Sequence, residues 1–227
     1  MIELITNKAS SSTHLQTIKK VLHHAEEVYM SVAFLKMSGI NQLLPYFKKS
    51  IQFKIIAGAN FGITDPDALS LLLDYSSKMN LKGYLNTLSS KIIFHPKMYL
   101  IKSGQVGHIL IGSANLTSGG LDTNNECSLY YQCNVTEDIW INVLNYFNNL
   151  ILPENADLLN DRIISIYRKY HKSQKKINEQ SQQFPNMDDN LLYDLNKFKI
   201  YFKELDQRTI SKDFKEKNIL MIRLGKF

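Results

Sequence analysis

Short apolar runs of strand length alternate with amphipathic stretches through the first two thirds of the chain, and this alternation constrains the fold more than any other feature. Leu15, Ile18, Val21 and Leu22 recur at helical spacing over residues 12–24, behind a Ser-Ser-Ser-Thr stretch able to cap a helix start. Residues 28–34 (VYMSVAF) read as a strand, 40–47 as a helix, and 53–59 (FKIIAGA) as a buried strand ending at glycine. Asp65-Pro66-Asp67 opens a further helix that carries Ala68, Leu71, Leu72 and Tyr75 on one face. Strands are expected at 91–94, 98–101, 108–111 and 127–132, then a helix over 137–150 with the only tryptophan, Trp140. The pattern predicts an α/β sandwich, a mixed and largely parallel sheet flanked by helices.

With 227 residues, 44% of them hydrophobic and 21% charged, the chain can bury one sizeable core, which excludes a long disordered protein. The net charge of +6 is unevenly placed: residues 1–154 carry 12 Lys and Arg against 11 Asp and Glu, residues 155–227 carry 15 against 10. A boundary is expected there, between a catalytic domain (1–154) and a basic, mostly helical C-terminal extension (155–227). In the extension, helices are expected at 157–180 and 190–205 around the polar stretch QSQQFPNMDD, and the later NILMIRLG has strand-like content. Two cysteines, Cys127 and Cys133, are too few for a disulfide framework or a zinc knuckle and point to free thiols. With no signal-peptide pattern at residues 1–8 and no run of about 18 apolar residues, the expected setting is the cytoplasm, with no membrane partner.

The chemistry concentrates in residues 95–126. On a strand, His95 and Lys97 are two apart and emerge on one face, presenting a nucleophile beside a cation. After a second apolar run, Gly112, Ser113 and Asn115 stand where the chain leaves the sheet, and small residues there let backbone approach a phosphate. Glu126 opens the next strand, eleven positions beyond Asn115. Phosphodiester cleavage needs a nucleophile, donors for the non-bridging oxygens and an acid for the leaving oxygen. An imidazole, a lysine, an amide and a supporting carboxylate supply most of that set.

These residues resemble the phospholipase D superfamily, whose motif is H-x-K, an Asp after four intervening residues, then G-S-x-N. His95-Pro96-Lys97 and Gly112-Ser113-Ala114-Asn115 match, and Glu126 stands where single-motif nucleases of that family keep a glutamate. The Asp position holds Lys102, a departure shared by members resembling the metal-independent restriction endonucleases. The resemblance implies a covalent phosphohistidine at His95, phosphate oxygens held by Lys97 and Asn115, assistance from Ser113, and support of His95 by Glu126. It implies no metal and no other cofactor.

Of the six histidines only His95 is followed two residues later by Lys, and G-S-x-N occurs once, so the chain holds one half-site. A reaction that needs a second histidine to protonate the leaving oxygen predicts a homodimer with a composite site. The expected function is a metal-independent endonuclease that cuts DNA rather than RNA, in restriction or phage defence, with a helicase or another defence subunit as a candidate partner. Lys102, Arg168, Lys169 and Lys172 are the expected nucleic-acid contacts, although a basic helix face is often simply solvated. A phospholipase or phosphatidyl transferase, and a non-catalytic binding module of the same fold, are the alternatives. A metal-dependent nuclease using Asp188, Asp189 and Asp213-Phe214-Lys215 is a fourth reading.

Overall fold

The structure is a computed structural model that describes residues 2–8, 12–86 and 92–181, with side chains to residue 177. In chain order the elements are β1 (Ile2–Thr6), α1 (His14–Leu22), β2 (Glu27–Val32), α2 (Met37–Ile40), β3 (Gln52–Ala57), α3 (Pro66–Ser76), β4 (Leu81–Asn86), β5 (Lys97–Ser103), β6 (Val106–Gly112), β7 (Cys127–Asn134), α4 (Asp138–Leu150), β8 (Ala156–Leu158) and α5 (Asp161–Ser181). The eight strands form one sheet in the order β1-β7-β6-β5-β2-β3-β4-β8. The described residues up to Ile177 belong to the first of two units.

Local chemistry sets the helix starts. Thr13 and Gln16 form a reciprocal capping box on α1, and the Asp65 carboxylate accepts from the Asp67 amide at the start of α3 with Pro66 in its first turn. The helix expected over 40–47 is instead two single turns, α2 and a 3-10 turn at Leu44–Tyr46, because Pro45 has no amide hydrogen to continue the ladder.

The sheet is mixed as expected, but it is not largely parallel. Only β2/β3 and β3/β4 run parallel, while β1/β7, β7/β6, β6/β5, β5/β2 and β4/β8 are antiparallel. Parallel neighbours need a crossover, and those crossovers lie only between β2, β3 and β4; β5 and β6 are joined by a tight turn at Gly104 (φ 58°). The strand expected at 91–94 is absent from the described residues 92–94, where Ile92 and Ile93 are exposed. Residues 155–177, which the sequence grouped with the extension, belong to the first unit: β8 extends the sheet, and Ile164 and Tyr167 of α5 are buried in its core. The helix expected at 190–205, QSQQFPNMDD beyond Ser181, NILMIRLG, Asp188, Asp189 and Asp213-Phe214-Lys215 lie outside the described residues.

Two cores sandwich the sheet. On one face, α1, α3 and α5 pack through Ile18, Leu22, Leu69, Leu72 and Tyr167 against Val28, Met30, Ile55 and Tyr99. On the other, Trp140 and Phe147 of α4 cover Tyr29, Met98, Leu100 and Ile109. Each fully buried Leu, Ile or Phe contributes about 1.5–3 kcal/mol. Gly107 makes room for this layer, since a Cβ there would lie 2.3 Å from Trp140 Cε3. The register then decides where the site falls: Lys97 opposes Val32, Met98 opposes Ile111 and Gly112 opposes Ser128. The start of β5, the ends of β2 and β6 and the start of β7 therefore meet at one edge.

Candidate active site

His95 lies in the extended segment just before β5, exposed, and Lys97 begins the strand with only 7% of its surface accessible. The two side chains touch: Lys97 Nζ stands 2.7 Å from His95 Nδ1 and 2.8 Å from Nε2, and also donates to His95 O at 3.1 Å. Phe34, two residues past β2, packs edge-on to the His95 ring at 6.2 Å. Burial pushes the imidazole below the usual histidine range and the Lys97 ammonium adds to the shift, so the ring is held neutral, the form that carries a lone pair. Burial also lowers the Lys97 amine, opposed by the negative charge of Glu126.

The turn after β6 supplies the next group. Ser113 Oγ donates to Glu126 Oε2 and accepts from the Cys127 amide at 3.0 Å, so the turn and the start of β7 are tied together at Glu126. Gly112 is required there, because a Cβ would lie 2.2 Å from both Cys127 O and Ser128 Oγ. The Asn115 amide is oriented from behind: its Oδ1 accepts from the Phe34 amide at 2.9 Å. An amide whose oxygen is engaged by backbone turns its NH2 outward as a donor. Tyr99 OH, fully buried, donates to Ala114 O at 3.0 Å and pins the same turn to β5.

His95, Lys97, Ser113, Asn115 and Glu126 thus gather at one edge, with a difference in partners. Glu126 hydrogen-bonds Ser113 and faces the Lys97 charge, and the charged group set against the His95 ring is Lys97. Lys102 is not brought to this edge. It sits five residues along β5, about 16 Å away at 3.3 Å per residue, and its ammonium pairs with Glu27 at 2.6 Å. Arg168 pairs with Asp67 at 2.7 Å and donates to Ser70 Oγ. Lys169 and Lys172 are exposed on α5. That helix packs on the loop after β3: Tyr167 OH donates to Thr64 O at 2.9 Å, and in the same loop Asn60 Oδ1 accepts from the Phe94 amide beside His95.

The sequence gives no sign of a second layer beneath the site. His14 is wholly buried at the start of α1, with Nδ1 2.6 Å from Asn7 Oδ1 and Nε2 2.8 Å from Ser128 Oγ. Asn7 Nδ2 donates in turn to Gly120 O at 3.0 Å and Asn124 O at 3.2 Å, and Asn124 reaches Glu126. This network holds the middle and the Glu126 end of the segment between Asn115 and Glu126. Burial lowers the His14 pKa, with Glu126 opposing, so His14 is buried neutral.

Among the described residues no group of three or more His, Cys, Asp and Glu side chains is placed to hold a metal ion, and no helix is long and apolar enough to cross a membrane. Beside His95 a cleft of about 580 Å³ opens toward α4 and the end of β4.

No protein-family model matches the sequence, and no curated protein matches it. Solved structures do. Nuc from Salmonella typhimurium, a phospholipase D family member, aligns over 71% of this chain and 99% of its own, with a TM-score of 0.53 at 14% identity. The phosphatidylserine synthase of Haemophilus influenzae Rd KW20 aligns over 78% of this chain and 47% of its own, with a TM-score of 0.52 at 13% identity. At such identity the likeness speaks to architecture. With a mixed sheet flanked by helices on both faces, and with H-x-K and G-S-x-N signatures meeting at one edge, the chain has the fold of the phospholipase D superfamily.

Proposed function

We propose that this chain is a metal-independent phosphodiesterase that cleaves nucleic acid, DNA in preference to RNA, through a covalent intermediate on His95. The observation that carries this reading is the Lys97 ammonium set directly against a neutral His95 imidazole at an exposed edge. In the first step a ring nitrogen of His95 attacks phosphorus, an N–P bond forms, and the P–O bond to the leaving group breaks. Lys97 and the Asn115 amide stabilise the charge that builds on the non-bridging oxygens, a contribution worth about 2.7–4 kcal/mol per donor. Ser113, whose single hydroxyl proton goes to Glu126, assists by fixing the turn and that carboxylate beside them. Water then attacks phosphorus, the N–P bond breaks, and His95 is regenerated.

The leaving oxygen needs a proton in step one and the water must lose one in step two. The half-site reading assigns both transfers to His95 of a second copy in a homodimer. A supporting observation is an apolar stripe on the α4 side of the sheet edge. Ile111 (42% exposed), Leu129 (57%), Leu4 (57%) and Ile2 (69%) lie there; Ile111 opposes Leu129, and Leu129 opposes Leu4. Ile111 directly precedes Gly112, so the stripe ends beside the site's turn on the other face of the sheet, and a second copy seated on it lies next to that edge. Lys169 and Lys172 are proposed as backbone phosphate contacts. The family resemblance extends the reading to restriction or phage defence, with a helicase or similar subunit as companion.

Incubation with plasmid, single-stranded DNA, RNA and phosphatidylcholine vesicles, each with and without EDTA and beside His95→Ala, tests the assignment. EDTA-resistant, His95-dependent cleavage of DNA supports it. Turnover of lipid alone, or activity restored only by Mg²⁺, refutes it.

A further inference from the structure

We propose that the cleft beside His95 is a nucleobase subsite, so that the substrate is nucleic acid unpaired at the cut; this rests on the phosphodiesterase reading above. The cleft of about 580 Å³ has His95 on one wall and Tyr146 of α4 on another, with Ile92 and Ile93 along its rim. Tyr146 is 51% exposed and Ile92 and Ile93 are 72% and 58% exposed, an unusual concentration of uncovered flat and branched apolar surface next to a nucleophile. The far end is polar and preset: Asn86 Nδ2 donates to Asn155 O at 2.8 Å, and Asn155 Nδ2 donates to Asn149 O at 2.7 Å.

Charge identifies the occupant. Among the described residues the lining contains no Lys or Arg, and its one carboxylate is Glu154. A phosphate would be repelled there, whereas Lys97 and Asn115 serve it at the other side of His95. A nucleobase fits instead: its face stacks on Tyr146, its edges meet the asparagines, and Glu154 accepts from an exocyclic amino group. An acyl chain would use the apolar rim but leave the amides and the carboxylate facing hydrocarbon, a desolvation cost without return. The stripe lies on β6, β7 and β1, and the cleft reaches β4, on the other side of β5 in the strand order, so a second copy on the stripe leaves it open. A base enters such a cleft only when unstacked and unpaired, which costs least in a single strand.

The test is a cycle on binding, with the full-length His95→Gln protein so that no strand is cut. Anisotropy of a short fluorescein-labelled single strand is compared with strands carrying one abasic residue, tiled along the sequence, in the Tyr146, Tyr146→Phe and Tyr146→Ala backgrounds. At one tiled position, loss of the base weakens binding roughly tenfold with Tyr or Phe at 146, within the range of base-aromatic stacking, and has little further effect with Ala. Independent, additive losses, or equal affinity for a blunt duplex, overturn the proposal. So does, with His95 intact, a Tyr146→Ala effect on phosphatidylcholine turnover with none on nucleic-acid cleavage. Because binding does not require the nucleophile, the outcome stands whether or not the phosphohistidine step is correct, and the two readings fail separately.

Discussion

Replacing His14 by Ala tests whether the network beneath the site is a coupled unit. The ring is 0% exposed, so its removal empties a filled space, at roughly 2–3 kcal/mol for a side chain of that size. It also orphans Ser128 Oγ, which is 3% exposed and sits 2.8 Å from Nε2, at about 1–3 kcal/mol for a buried unsatisfied hydroxyl. Asn7 Oδ1 is not orphaned, because the His14 backbone amide still donates to it at 3.2 Å. The expected loss is about 3–6 kcal/mol, a large share of a typical domain's stability. Ser128→Ala alone strands Nε2 and costs about 1–3 kcal/mol, but made on top of His14→Ala it removes an atom that has already lost its partner. The double variant is therefore less damaged than the sum by about 1–2 kcal/mol, read from urea unfolding midpoints at unchanged m-value. Additivity within about 0.5 kcal/mol would refute the coupling.

Other outcomes follow from the same geometry. Lys97→Met keeps the stem and removes the charge, and turnover should fall about 10²- to 10³-fold while the unfolding midpoint changes little. The acid limb of the rate profile should lie below pH 6.5, because His95 acts neutral and its pKa is lowered, and Lys97→Met should move that limb upward. His14 and His108 are also lowered in the fold, so the unfolded chain binds protons first. The stability they contribute is complete above pH 6.5 and is lost as pH falls toward their folded values, which denaturation across pH 7 to 4 will follow. Lys102→Ala breaks a part-exposed pair with Glu27 and should cost no more than about 1 kcal/mol, with cleavage intact, whereas the double change Lys169→Ala and Lys172→Ala should flatten the salt dependence of DNA binding.

The site's core was legible because its signal is local. H-x-K and G-S-x-N each fit within four residues, and the apolar runs behind them mark the strands that carry them. Pairing is not local, and there the reading went astray. Insertion of β5 beside β2 makes most of the sheet antiparallel, and nothing in either strand's composition announces that neighbour. Three strands gave too little pattern: β1 is an edge with Ile2 and Leu4 exposed, β8 is three residues long, and β4 is interrupted by Gly83, against which Leu159 packs. Lys102 looked like an available cation until the register set it opposite Glu27. His14 and Ser128 are 114 residues apart, and only the finished fold joins them.

The central claim is that one imidazole takes the phosphoryl group. Single-turnover reaction of the full chain with an oligonucleotide in EDTA, quenched in alkali, where phosphohistidine survives, and read by peptide mass spectrometry, tests it directly. The account predicts a phosphoryl-linked nucleotide on the peptide containing His95, at early times only, and none from His95→Ala. Cleavage at full rate by His95→Ala, or turnover by the unaltered protein with no adduct at any time point, would contradict it.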